Sequence, residues 1–114
     1  MLPNLPNVPA VAPDEVSDLL AAGAILIDVR EENEWNAGRI PQATLKPMSE
    51  INNWYADLPR DTDIIVQCRT GQRSGQVVKA LIEQAGFERV YNLSGGIVAW
   101  ANTGLEVQGP LPNN

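Results

Sequence analysis

The run "DIIVQCRTGQRSGQVVKALIEQAGFERVYNL", residues 63–93, constrains the fold more than any other stretch. "DIIVQC" is an apolar run of strand length, "RTGQR" is a turn, and "SGQVVKALIEQAG" follows with helical spacing. Val78, Leu81, Ile82 and Ala85 fall at i, i+3, i+4 and i+7, and Gly86 stands where a left-handed C′ residue belongs. "RVYNL" then reads as a second strand. Two strands joined through a helix run parallel, which commits the chain to an α/β architecture.

The rest of the chain agrees. "AILIDV" is apolar without alternation, as a strand covered on both faces of a parallel sheet must be. Before it, "APDEVSDLLAAG" has Pro13 in a first helical turn, Asp14 and Glu15 complementing the dipole, Val16, Leu19 and Leu20 on one face, and Gly23 as the stop. A helical turn around Glu32 to Trp35, a break at Gly38 and a short strand near Ala43 to Leu45 come next. "MSEINNWYADLP" predicts a short helix capped by Ser49, with Ile51, Trp54 and Tyr55 on one side and both aromatics in the core. "SGGIVAWANTG" gives a last short helix. The fold class is therefore α/β around a mainly parallel sheet. Residues 1–11 form a proline-rich lead-in, residues 12–108 one domain, and residues 109–114 a polar tail; 114 residues suffice for a single core.

Composition restricts the chemistry. There is no histidine and one cysteine, Cys68, so no Cys-His pair, Ser-His-Asp triad, internal disulfide, cysteine-rich zinc site or histidine-ligated metal is available. Neither a metal nor a cofactor is expected. With 14 acidic and 8 basic residues the net charge is −6, which disfavours nucleic acid and anionic membranes as partners. No apolar run approaches the ~18 residues of a membrane span, and "MLPNLPNVPAVAP" lacks the pattern of a secretory signal; a soluble, cytoplasmic protein is expected.

Cys68 ends a strand and directly precedes a helix N-terminus, where open α/β sheets bind their ligands. Successive amides in a tight loop form an anion nest, the helix dipole adds partial positive charge, and Arg69 and Arg73 add full charges. Each favours a thiolate and attracts an anion. Gly71 and Gly75 read as backbone devices. Three readings of Cys68 stand: a small apolar residue closing a strand, a phosphatase nucleophile, or a sulfur carrier. A cysteine phosphatase needs arginine six positions after its cysteine, and that place holds Ser74. Arg73 comes one position early, leaving a narrower cradle suited to one sulfur atom.

"CRTGQRS" with its helix resembles the active-site loop of single-domain rhodanese-like sulfurtransferases. "LIDVREENEWNAGRIPQA" is similar to the family's Asp-Val-Arg segment and its Gly-His-Ile-Pro-Gly-Ala stretch, and "LSGGIVAW" to its Gly-Gly-x-x-Ala-Trp ending. The resemblance runs from about Ala12 to Gln108. Arg39 replaces the usual histidine and Gln42 the common glycine; because the family's sulfur transfer does not use that histidine as a base, Arg39 bears on substrate preference more than on activity. The resemblance implies a five-stranded parallel sheet with helices on both faces and a two-step reaction. Cys68 takes a sulfane sulfur from thiosulfate or a persulfide donor, then yields it to cyanide or a thiol acceptor. Partners would be small-molecule sulfur donors and acceptors, with a sulfur-accepting protein as a further candidate.

On this reading Cys68 is catalytic, and Arg69, Thr70, Gly71, Gln72, Arg73 and Ser74 hold the substrate. Asp28 supports the loop by accepting a hydrogen bond, or else partners Arg30. Glu34 and Trp35 serve packing and ion pairing, and Trp100 closes the core beneath the loop. The alternatives are a rhodanese-like interaction or relay module and, behind it, a cysteine phosphatase or arsenate reductase.

Overall fold

The computed structural model describes residues 8–109. Five parallel strands form one sheet in the order β1-β5-β4-β2-β3: β1 Ala10–Val11, β2 Ile25–Asp28, β3 Ala43–Leu45, β4 Ile64–Gln67 and β5 Val90–Leu93. The expected α/β class and five-stranded sheet are what the chain adopts. β2 and β4, central and covered on both faces, are the two non-alternating apolar runs. β1 comes from the segment expected to be a lead-in; Ala10 and Val11 align with Asn92 and Leu93, and two residues are too few to carry a strand pattern. Pro3 and Pro6 of that lead-in, and residues 110–114 of the tail, lie outside the described residues.

The helices are α1 Pro13–Ala21, α2 Glu32–Ala37, α3 Ile51–Trp54, α4 Gln72–Ala85 and α5 Gly96–Asn102. Alternate side chains of the strands divide the core in two. Ile27, Val29, Ile64, Val66 and Cys68 join Trp54, Val77, Val78 and Leu81 on the α3/α4 face. Leu26, Ile65 and Leu93 join Val16, Ile97 and Trp100 on the α1/α5 face. Trp100 is 1 % exposed and donates its Nε1–H to Glu106 O at 2.8 Å.

Two expectations for the middle segment fail. Ser49 is no helix cap: it lies within a 3₁₀ turn, Met48–Glu50, and its hydroxyl donates to Glu31 Oε1 at 2.8 Å. Tyr55 starts a second 3₁₀ turn, Tyr55–Asp57, and is 37 % exposed, whereas Trp54 is buried and donates to Pro47 O at 2.8 Å. Consecutive helical residues already point about 100° apart, and the backbone leaves the helical region at Trp54, φ −122°, so Tyr55 does not share the buried face of Trp54.

Candidate active site at Cys68

β2 and β4 pair in parallel with Asp28 beside Gln67, so both strands release their chains at the same sheet edge. Cys68 follows at once, and α4 begins only four residues later. The reversal depends on Gly71, the N-cap of α4, whose φ of +103° favours glycine. Its amide donates to Cys68 Sγ at 3.1 Å. The Ser74 hydroxyl lies 3.3 Å from the same sulfur and 2.6 Å from Asn92 Oδ1, while Asn92 Nδ2 donates to Gly71 O at 3.0 Å. Cys68, Ser74 and Asn92 are all buried, so this network sits in low dielectric, where each contact counts for more.

Cys68 therefore combines both readings of a strand-end cysteine. It packs among apolar residues at 1 % exposure, yet its sulfur meets a backbone amide and a hydroxyl, partners that an inert packing cysteine does not need. Thr70 and Gln72 are exposed on the loop and at the start of α4, Arg69 is half-buried, and Gly71 is buried. Gly75 lies buried in the first turn of α4, its amide donating to Gly71 O at 3.0 Å; it is an ordinary helical residue.

The expected pair of free cations is not what the loop presents. Arg73 turns to α2 and grips Glu34 through both nitrogens, Nη1 to Oε1 at 2.8 Å and Nη2 to Oε2 at 2.9 Å. That bidentate contact lowers the Glu34 pKa from 4.5 to about 2, helped by the Glu31 backbone and opposed by partial burial. Glu34 in turn raises the Arg73 pKa. Sequence spacing could not reveal a pair 39 residues apart.

Asp28 does not reach the loop. Its carboxylate takes Arg30 Nε at 3.1 Å and Nη2 at 2.8 Å, and also accepts the Arg30 amide at 2.9 Å. Arg30 then donates to Gly38 O at 2.7 Å and Glu34 O at 3.4 Å, satisfying carbonyls near the end of α2. Support for the loop thus runs indirectly, from Asp28 through Arg30 to α2, and from α2 through Glu34 to Arg73. Arg39 also serves α2: Nη1 donates to Trp35 O at 3.1 Å and the guanidinium lies 5.4 Å from the Trp35 ring centroid. Its backbone bridges Gln108.

Asn92 was not among the residues expected here. The signal was present, a polar residue at an inward position of the "VYNL" strand, but its use depends on β4 and β5 being neighbours. Among the described residues no cluster of acidic, cysteine or histidine side chains could hold a metal, and no helix is long and apolar enough to cross a membrane.

The loop, its sulfur and the double glycine at α5 match a known pattern. The family model for the rhodanese-like domain covers residues 12–103. The chain belongs to the rhodanese-like family. It is 42% identical over 86 residues to a sulfurtransferase of Allochromatium vinosum, covering 75% of this chain and 79% of that protein. It is also 42% identical over 95 residues to the probable adenylyltransferase/sulfurtransferase MoeZ of Mycobacterium tuberculosis, spanning 80% of this chain but only 24% of that longer protein. The crystal structure of a thiosulfate sulfurtransferase from Pseudomonas aeruginosa superposes with a TM-score of 0.80 at 28% identity, over 90% of this chain and 20% of that one. Sulfur transfer is the activity that these relatives' names share.

Proposed function

We propose that this rhodanese-like domain moves a sulfane sulfur from an anionic donor of the thiosulfate type, through a persulfide on Cys68, to cyanide or a thiol acceptor. The observation carrying this reading is the Gly71 amide aimed at Cys68 Sγ, 3.1 Å away, where β4 gives way to α4. A donor of partial positive charge stabilises sulfur anions, both the attacking thiolate and the persulfide that replaces it. The helix N-terminus behind it acts in the same sense.

In the first step the Cys68 thiolate attacks the outer sulfur of thiosulfate. The donor's S–S bond breaks, its electron pair leaves with sulfite, and a new S–S bond forms on Cys68. In the second step cyanide or a thiolate attacks the outer sulfur, and the electron pair of the Cys68 S–S bond returns to Cys68 as thiolate. Charge is conserved in both steps, and no redox cofactor is required. Thiosulfate as donor is supported by the P. aeruginosa relative of that name. A phosphatase reading is disfavoured because Ser74, where that chemistry needs a guanidinium, is buried with its hydroxyl engaged by Asn92.

Mass spectrometry after exposure to thiosulfate tests the proposal: the protein should gain one sulfur atom on Cys68 and lose it to cyanide as thiocyanate. Cys68→Ser should remain folded and gain none. Sulfur transfer by the folded serine variant at a rate near that of the parent would overturn the mechanism.

A further inference from the structure

Resting on that reading, we propose that Asn92 in β5 and Gly96 at the start of α5 are positioning residues that set the direction in which the Cys68 loop presents its amides to an anion. Asn92 reaches the sulfur through the Ser74 hydroxyl, and Gly96 meets the backbone of the loop. The carbonyls of the loop decide where its amides point, because in a trans peptide each C=O points opposite to the N–H of the next residue. Fixing the carbonyls fixes the amides.

Ile97 N–H donates to Cys68 O at 2.9 Å, and Val98 N–H donates to Arg69 O at 3.2 Å. Both donors belong to the first turn of α5, where amides lack intrahelical partners and are available for such contacts. Drawing these carbonyls toward α5 turns the amides of Arg69 and Thr70 away from it. Ile97 packs on one face of the sheet and Cys68 on the other, so away from α5 means toward the side of the cysteine sulfur.

The third peptide is held by a side chain. Asn92 Nδ2 donates to Gly71 O at 3.0 Å, which turns the Gln72 amide away from β5, and Asn92 Oδ1 accepts from the Ser74 hydroxyl at 2.6 Å. One buried side chain thus fixes the peptide at the start of α4 and the hydroxyl beside the sulfur.

Gly96 makes the α5 contacts possible. Its φ is +59°, and a Cβ there would collide with Cys68 O, with Arg69 O and with the Arg69 carbonyl carbon. A methyl group would push apart the peptides whose orientation matters, and the absence of one lets the two backbones meet. Gly96 and Asn92 act on different peptides, so their effects are separable.

The test uses thiosulfate binding by the Cys68→Ser protein, measured by calorimetry, because no transfer can occur there and only the cradle is read. Adding Gly96→Ala or Asn92→Ala should weaken binding by about tenfold, the loss expected for one or two misdirected donors to a charged group, with stoichiometry unchanged. A merely structural defect would lower the folded fraction and hence the stoichiometry, leaving the affinity of the remainder intact. With Cys68 restored, both variants should raise KM for thiosulfate more than they lower kcat.

Equal affinity in parent and variants, or no measurable binding by the Cys68→Ser parent, would overturn the proposal. Should one variant fail to fold, the other decides, since the two substitutions strain different contacts. Failure of the unmodified protein to acquire sulfur would instead defeat the sulfur-transfer mechanism, while the binding comparison would still decide whether the cradle is set by Asn92 and Gly96.

Discussion

At the residue scale, Gln67 is the side chain that the structure leaves least explained. It is fully buried at the end of β4, and neither its Nε2 nor its Oε1 has a hydrogen-bond partner among the described residues. Alternation along the strand directs it to the face of Leu26, Ile65 and Leu93. A buried amide without partners forfeits its hydration and gains nothing in return, so an apolar residue of similar size should serve better there. Gln67→Leu is expected to stabilise the protein by about 1 kcal/mol in denaturant unfolding. A comparable loss would show that the amide is satisfied through bound water. The buried Asp28–Arg30 pair behaves in the opposite way, because the Asp28 carboxylate takes its hydrogen bonds from Arg30 and the Arg30 charge is balanced by Asp28. Asp28→Asn leaves the Arg30 guanidinium buried without its counter-charge and should cost about 3 kcal/mol by the same measurement, whereas replacing both by apolar residues should cost much less. A double variant as unstable as the single one would contradict that ordering.

At the element scale, the clasp between α2 and α4 predicts a pH response. Glu34 has a folded-state pKa of about 2 against 4.5 when free, so the pair contributes stability fully above pH 4.5 and loses it as pH falls toward 2. The stability gap between the parent and Glu34→Gln should therefore be constant at neutral pH and close across that acid window. Both side chains keep contact with solvent, 37 % of Arg73 and 28 % of Glu34, so screening makes the gap modest. A gap unchanged down to about pH 2 would mean that the carboxylate contributes nothing as a charge. Which elements were legible follows from how much of their signal is local. α4 carries a full helical stripe with Gly86 behind it, and β2 and β4 are apolar runs that need only length to be recognised. α2, by contrast, is held by Arg30, Arg39 and Arg73, contacts from outside its own six residues, and reads as a single turn in isolation. β1 has no pattern at all and exists because β5 offers it an edge.

At the scale of the whole molecule, the place of Cys68 was readable because a strand-loop-helix unit specifies its own geometry, while the roles of Asn92 and Arg73 were not, because each depends on which strands and helices become neighbours. The same neighbours change what charge an approaching donor meets. Among the described residues, Arg30, Arg73, Lys79 and Arg89 each lie 2.7–2.9 Å from a carboxylate, so at least four of the 8 basic residues are matched locally in a chain of net charge −6. The molecule measures 35 × 30 × 28 Å, and at low ionic strength the Debye length approaches ~30 Å, so a thiosulfate dianion feels nearly the whole negative charge as it nears the loop. Close to the sulfur the amides attract it, but their partial charges act over the first few ångströms only. Added salt screens the long-range repulsion and leaves the short-range contacts largely intact. Raising ionic strength from about 0.01 M to 0.15 M should therefore increase kcat/KM for thiosulfate, by roughly twofold, while leaving that for an uncharged sulfane donor unchanged. The sign is opposite to what "CRTGQR" implies when its arginines are counted as free charges. Steady-state rates for the two donors across that range decide it: a fall in kcat/KM with salt for thiosulfate alone would show that a net positive field at the loop outweighs the charge of the molecule.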